Sequence, residues 1–200
     1  MHAGCLGIVQ ILNGNILFWL FKRMNGIISR PLETVKDILF FIKMSSRLLK
    51  LDRPPIHHLH LEMFKASGKP PKLKVKAAEG RHLVPVLAHM IENCFPPRNA
   101  RDELILNCTE SLAKMYEVMA GPWGQGTGLE VARLGRAHLT FFNELYLSSL
   151  NSGEWQRVGY LLWRVYPKHH LFLHVIEDQI ALSGIRRDSY GDHSWLLIDC

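Results

Sequence analysis

Two histidines and an aspartate near the carboxyl end have the spacing of a helical metal site. His170, His174 and Asp178 recur every four residues, so on a helix their side chains lie on one face. Imidazole nitrogens and a carboxylate are ligands that zinc and related divalent metals accept. The glutamate of the HExxH pattern is missing, so a packed histidine is the competing interpretation. The spacing predicts a candidate metal site, and a metal-dependent hydrolase is one function that such a site would allow.

A second histidine group precedes the most basic part of the chain. His57, His58 and His60 fall in a stretch of partial alternation, which would place His57 on the opposite side of a strand from the other two. No cysteine is placed to complete a zinc site with them. We therefore expect no metal at this group.

Between residues 65 and 81 the chain has its densest run of positive charge, called the basic segment below. Lysines at such a run bind phosphate groups with an affinity that depends on salt and not on base sequence. A solvated surface loop is the alternative. We predict that nucleic acid is bound by these residues: Lys65, Lys69, Lys72, Lys74, Lys76 and Arg81.

The composition is that of a globular chain with a basic surface. Of the 200 residues, 48% are hydrophobic and 21% charged, which favours a buried core over disorder. The formal charge of +6 favours nucleic acid or an acidic membrane surface as a partner. A basic protein without such a partner fits the same numbers.

Several catalytic classes lack their usual patterns. No GxSxG or GxxxxGK[ST] is present, and the glycine-rich run over residues 121–128 is expected to be a loop. No pair of acidic residues is marked by spacing as a catalytic dyad. The cysteines form no CxxC pair, so we expect reduced thiols in an intracellular protein; they are Cys5, Cys94, Cys108 and Cys200.

The apolar stretch over residues 5–21 is expected to be a buried helix. Polar residues and a glycine interrupt it too often for a membrane span; they are Gln10, Asn13, Gly14 and Asn15. Lys22 and Arg23 follow the stretch, whereas a signal peptide has its basic residues first.

Helical periodicity dominates the remaining chain. Apolar residues recur at helical spacing over residues 32–42, 75–95, 101–119, 129–150 and 167–182. Pro31 is expected in the first turn of its helix, after Ser29 as N-cap, and Pro85 is expected to kink a helix or mark its late start. Partial alternation over residues 56–64 predicts a short strand.

The expected fold is mainly α, with about six helices and one or two short strands. We expect a single partial domain over residues 1–200. Its parts would be an N-terminal helical pair, a strand with a basic turn, a helical bundle, and a C-terminal turn with an apolar tail. The boundaries of these parts are 1–53, 54–74, 75–184 and 185–200.

Three blocks in order resemble transposon-encoded proteins with an RNase H-like catalytic domain, of the CACTA and KDZ type. Residues 1–10, MHAGCLGIVQ, resemble a DxMHxxxLGV segment. Residues 63–87 resemble an lKAxExRxlxPvL entry to a helical insertion. Residues 167–174, PKHHLFLH, with Gly184 and residues 190–192, are similar to a PKxHxLxH…G…E block.

The resemblance implies a fold and a chemistry. Such transposases hold two divalent metals with three carboxylates on an RNase H-like sheet, and the metals assist DNA strand cleavage and joining. Only the third acid has a counterpart here, Asp192, while the first two would lie upstream of Met1. Magnesium or manganese is expected only if an upstream extension completes the site.

The resulting prediction is a truncated, relict or domesticated transposase-like protein without nuclease activity. It would consist of the helical insertion and edges of the RNase H-like core, and would be nuclear if functional. DNA is the expected partner. The alternative is a helical protein-interaction module with a protein partner or self-association.

Overall fold

Helix α1 (Val9–Ile28) is the most deeply buried element of the protein. The computed structural model describes residues 7–28, 30–65, 68–153, 156 and 159–177. Leucine, isoleucine, valine and phenylalanine side chains of α1 are buried around its circumference, as the apolar stretch predicted. The Asn25-Gly26 pair lies within this helix, although that dipeptide is typical of a turn. Among the helices of the described ranges, none combines the length and apolarity that a membrane span requires.

Helices α2 (Pro31–Leu48) and α3 (Leu61–Phe64) follow, and both pack against α1. Pro31 occupies the first turn of α2, as predicted, because its fixed φ suits that position. Arg30 is the N-cap residue, and Ser29 lies outside the described residues.

The strand expected over residues 56–64 is wrong. Ile56 and Leu59 are both buried although they lie three residues apart, and the three neighbouring histidines are all exposed. An alternating strand would have placed Ile56 and Leu59 on opposite faces. The single turn of α3 then buries Phe64. The described part of the chain contains no strand, so the RNase H-like sheet edges have no support there.

Helix α4 (Ala77–Cys94) packs against α1 and α2 and also against the next helix. Pro85 lies inside α4, which begins well before it, so the proline does not mark a late start. The predicted apolar stripe is buried at Leu83, Val84 and Leu87.

Helices α5 (Ala100–Ala120) and α6 (Thr127–Asn151) form the most extensive helix pair. Asn99 caps α5, since its Oδ1 accepts a hydrogen bond of 2.9 Å from the Asp102 N–H. The predicted glycine-rich loop connects the two helices over residues 121–126.

Helix α7 (Pro167–His174) packs against α6. It begins at Pro167 as predicted, and a π-helical turn continues it through residue 177. Its expected extension to Leu182 and the expected C-terminal tail lie outside the described residues. One continuous apolar core reaches from Ile8 to Ile176, and the mainly helical class is confirmed.

Candidate nucleic-acid interface

Polar side chains of α1 fix the second half of the basic segment. The Leu73 N–H donates to the Gln10 carbonyl at 2.8 Å. The Gln10 side-chain amide returns a bond of 3.0 Å to the Val75 carbonyl. Asn13 donates to the Gly80 carbonyl at 2.8 Å. These residues interrupt the apolar stretch because they supply partners to buried backbone groups of a distant segment.

The clamped stretch, residues 71–76, lies outside any helix and presents its lysines to solvent. Pro71 and Leu73 are buried, whereas Lys72 and Lys74 are exposed between and after them. The Lys74 N–H also donates to the Met63 carbonyl at 2.8 Å, which ties the stretch to α3. Buried apolar residues and exposed lysines therefore alternate over residues 71–76, and not over residues 56–64, where the sequence predicted a strand.

A cleft of about 470 Å³ opens beside this stretch and is called the basic cleft below. Four lysines line it: Lys69, Lys72, Lys74 and Lys168. Glu62 is the one acidic lining residue. Apolar and aromatic groups complete the walls, including Ile11, Pro70, Pro71, Tyr166 and Pro167. The cleft therefore combines positive charge with flat apolar surface.

Lys168 reaches the cleft from the far end of the chain through a contact to α1. The Trp163 N–H donates to Asn15 Oδ1 at 3.1 Å, and both residues are buried. Trp163 has φ of 56°, an uncommon left-handed conformation for a residue other than glycine. The turn that it makes directs the following residues back to α1, where Lys168 lies against Gly7.

The four lysines of the basic cleft form no ion pair within the part of the chain that the structure describes. Lys114 differs, since its Nζ lies 2.8 Å from Glu110 Oε2. Four ammonium groups around one concave surface repel one another, so an anion between them lowers the electrostatic free energy. The arrangement can bind phosphate groups.

Only half of the predicted basic residues line the basic cleft. Lys65 is half-buried, with its Nζ 5.7 Å from the centroid of the Phe18 ring. Lys76 is the N-cap residue of α4. Arg81 Nη2 lies 3.4 Å from His82 Nε2. Lys168 was missed because an isolated lysine 94 positions after Lys74 carries no local signal.

The predicted metal residues His170 and His174 are brought together on the exposed side of α7. Their Nε2 atoms are 3.0 Å apart. Asp178 and the predicted catalytic Asp192 both lie outside the described residues. No group of three or more potential ligands that could hold a metal occurs in the described ranges.

A buried cysteine–histidine contact links α5 and α6. Cys108 Sγ lies 3.4 Å from His138 Nδ1, which is 2.9 Å from the Cys108 carbonyl. Burial raises the pKa of the Cys108 thiol well above its usual value and lowers the pKa of His138 to about 4. Both groups are therefore neutral at pH 7, unlike the thiolate–imidazolium pair of a cysteine nucleophile. The contact stabilises the core.

His169 is the second buried histidine of the described core, whereas its neighbour His170 is exposed. Its Nδ1 accepts a bond of 3.0 Å from the Tyr166 N–H, and its ring packs 4.5 Å from that of Phe142. Burial lowers its pKa to about 4. His169 thus fixes the start of α7, where Lys168 enters the basic cleft.

Comparison of the chain with protein-family models, with curated proteins and with solved structures finds no match. The likeness to transposon-encoded proteins therefore stays a prediction.

Proposed function

We propose that this protein binds nucleic acid through the basic cleft. The supporting observation is the convergence of Lys168 with Lys72 and Lys74, since Lys168 comes from a segment that is distant from these two residues in the sequence. Lysines that serve only as a solvated surface would be expected to spread over it and not to line one cleft. Phosphate groups held there would release counterions, so the affinity would fall as salt is raised.

The dimensions of the basic cleft favour a single strand over a duplex. Its volume of about 470 Å³ is that of a small-molecule site, far too small for a double helix. Proteins that bind single strands combine a positive groove with aromatic surfaces on which bases stack. Tyr166 is a half-buried aromatic residue of the lining, and its ring already lies against Arg164 and His169.

The proposal extends to the origin of the chain as a relict or domesticated transposase-like protein without nuclease activity. The order of the three resembling blocks supports it. Asp192 alone would not hold two metals, so magnesium or manganese would take part only if an upstream extension completes the site. A nuclear location belongs to the same proposal.

The direct test is fluorescence anisotropy with short labelled DNA and RNA strands and a matched duplex, from low to physiological salt. We expect binding to the single strands that weakens linearly on a log–log plot against salt. Absence of salt-sensitive binding to every oligonucleotide would overturn the proposed function. Equal binding of strand and duplex would overturn only the single-strand preference.

A second candidate function is association with a protein through the outer face of α2. Leu32, Phe40 and Leu48 are 78%, 61% and 61% exposed. They are eight positions apart, which is about 80° around the helix axis at each step, so they spread over the outer half of α2. Exposed apolar side chains that cover such a surface occur at protein interfaces.

Sedimentation velocity tests this second candidate with the Phe40→Ser variant. Self-association that persists at high salt and is lost in Phe40→Ser would support it. Leu129→Ser on α6 is the matched control, since Leu129 is 65% exposed on another helix. A monomer at all concentrations would exclude self-association.

A further inference from the structure

The two exposed histidines of α7 lie close together and are not part of the lining of the basic cleft. His170 Nε2 and His174 Nε2 are 3.0 Å apart, and the two rings are nearly perpendicular at 81°. The same nitrogen of each ring faces the other. In the neutral state one Nε2–H donates to the second Nε2, so the pair shares a single proton.

We propose that His170 and His174 bind one divalent transition-metal ion through their Nε2 atoms. A metal about 2.0–2.1 Å from each nitrogen would subtend an angle of about 94° when the nitrogens are 3.0 Å apart. That angle suits adjacent positions of a square-planar or octahedral ion. A tetrahedral ion would need the nitrogens about 0.3 Å farther apart at the same bond length.

The intrinsic order of affinity for nitrogen ligands places Cu²⁺ first, so Cu²⁺ is the ion expected to bind most tightly. Both rings are exposed, so small rotations can direct their lone pairs to one point without repacking the core. Binding requires an unprotonated Nε2 on both rings, so the donor ring changes to its Nδ1–H tautomer and the neutral pair releases no net proton.

Among the residues that the structure describes, none is placed to fill the remaining coordination positions, which would be left to water. Glu177 lies one turn beyond His174, but its carboxylate is 3.5 Å from Arg136 Nε and is engaged there. Since the described residues supply no third ligand, the ion is expected to exchange with solvent. The site is thus an open, exchangeable metal site and not a structural zinc site.

Titration of the purified protein with Cu²⁺, followed by visible absorption and electron paramagnetic resonance, tests the proposal. We expect one ion per chain, with a spectrum typical of nitrogen ligation. His170→Ala and His174→Ala should each weaken binding by about tenfold or more, because the second imidazole no longer acts at a high effective concentration. The double variant should bind Cu²⁺ only slightly more weakly than either single variant.

His58→Ala is the matched control, since His58 and His60 form the other exposed pair, with ring centroids 5.8 Å apart. This variant should bind Cu²⁺ as the unmodified protein does. Unchanged helical circular dichroism in every variant shows that the fold is retained. Full-strength binding in the His170→Ala and His174→Ala variants would overturn the proposal, as would loss of binding in His58→Ala.

Discussion

Gly14 of α1 lies directly against the backbone of Lys72. A Cβ atom at Gly14 would be only 2.6 Å from both the N and the Cα of Lys72. This close approach lets the Leu73 N–H reach the Gln10 carbonyl at 2.8 Å. The position of the basic segment on α1 therefore depends on the missing side chain.

The first prediction concerns Gly14→Ala. Alanine gains up to about 1 kcal/mol of helix propensity, whereas overpacking a tight site costs about 1–3 kcal/mol. The neighbouring atoms are backbone and cannot rotate away, so we expect a net loss of stability. Urea unfolding measures this loss, and the affinity for single strands should fall with it because Lys72 is displaced.

Gly135→Ala is the control for this prediction. A Cβ at Gly135 would meet Ile176 Cδ1 at 2.7 Å, which is the end of a flexible side chain that can change rotamer. We expect a smaller loss of stability and unchanged oligonucleotide affinity. Equal effects of the two substitutions on affinity would contradict the role assigned to Gly14.

The second prediction tests whether the strand binds in the basic cleft or elsewhere on the basic segment. Replacing Lys72 or Lys168 by Gln should each reduce the slope of log affinity against log salt by about 1, since each lysine would lose one phosphate contact. Lys114→Gln is the matched control, because Lys114 is paired with Glu110 on α5. An unchanged slope in Lys168→Gln would show that the basic cleft is not the binding surface.

The sequence predicted the helices well because their apolar stripes are local. Val35, Ile38 and Ile42 have helical spacing and are buried as a set. The strand failed because the alternation over residues 56–64 was partial. The alternation over residues 71–76 is more regular, but its lysines are typical of a turn.

The candidate site was only half predictable because its geometry depends on contacts between distant residues. The bond that directs Lys168 into the basic cleft joins Trp163 to Asn15, which is 148 residues away in sequence. No pattern within either segment indicates the other. The polar residues of α1 were noted as interruptions, yet their partners became visible only in the folded chain.

The third prediction is a loss of stability in mild acid. Burial holds the pKa of His138 and of His169 at about 4, below the ordinary value of 6.5. Below pH 6.5 the unfolded chain therefore binds protons that the folded chain does not. The free energy of unfolding is largest above pH 6.5 and should fall by up to about 1.4 kcal/mol per pH unit for each histidine as the pH approaches 4.

Urea unfolding between pH 7 and pH 5 measures this dependence. His169→Gln removes one of the two titrating groups and keeps a polar side chain near the Tyr166 N–H. The variant should show roughly half of the decline. A free energy of unfolding that is constant over this range would contradict the burial of two neutral histidines.

The fourth prediction compares a buried ion pair with an exposed one. Asp102 accepts a bond of 3.0 Å from Trp19 Nε1 and one of 3.3 Å from Arg23 Nη1. The side chains of Arg23 and Asp102 are 10% and 8% exposed, so Asp102→Ala would leave the Arg23 guanidinium without a counter-charge and with only the Phe95 and Pro96 carbonyls as acceptors. We expect a loss of about 3–5 kcal/mol in urea unfolding.

The pair of Glu130 and Arg133 is shorter at 2.7 Å but exposed to water and salt, so Glu130→Ala should change stability far less. A larger effect of Glu130→Ala would mean that distance, and not burial, decides the contribution of these pairs.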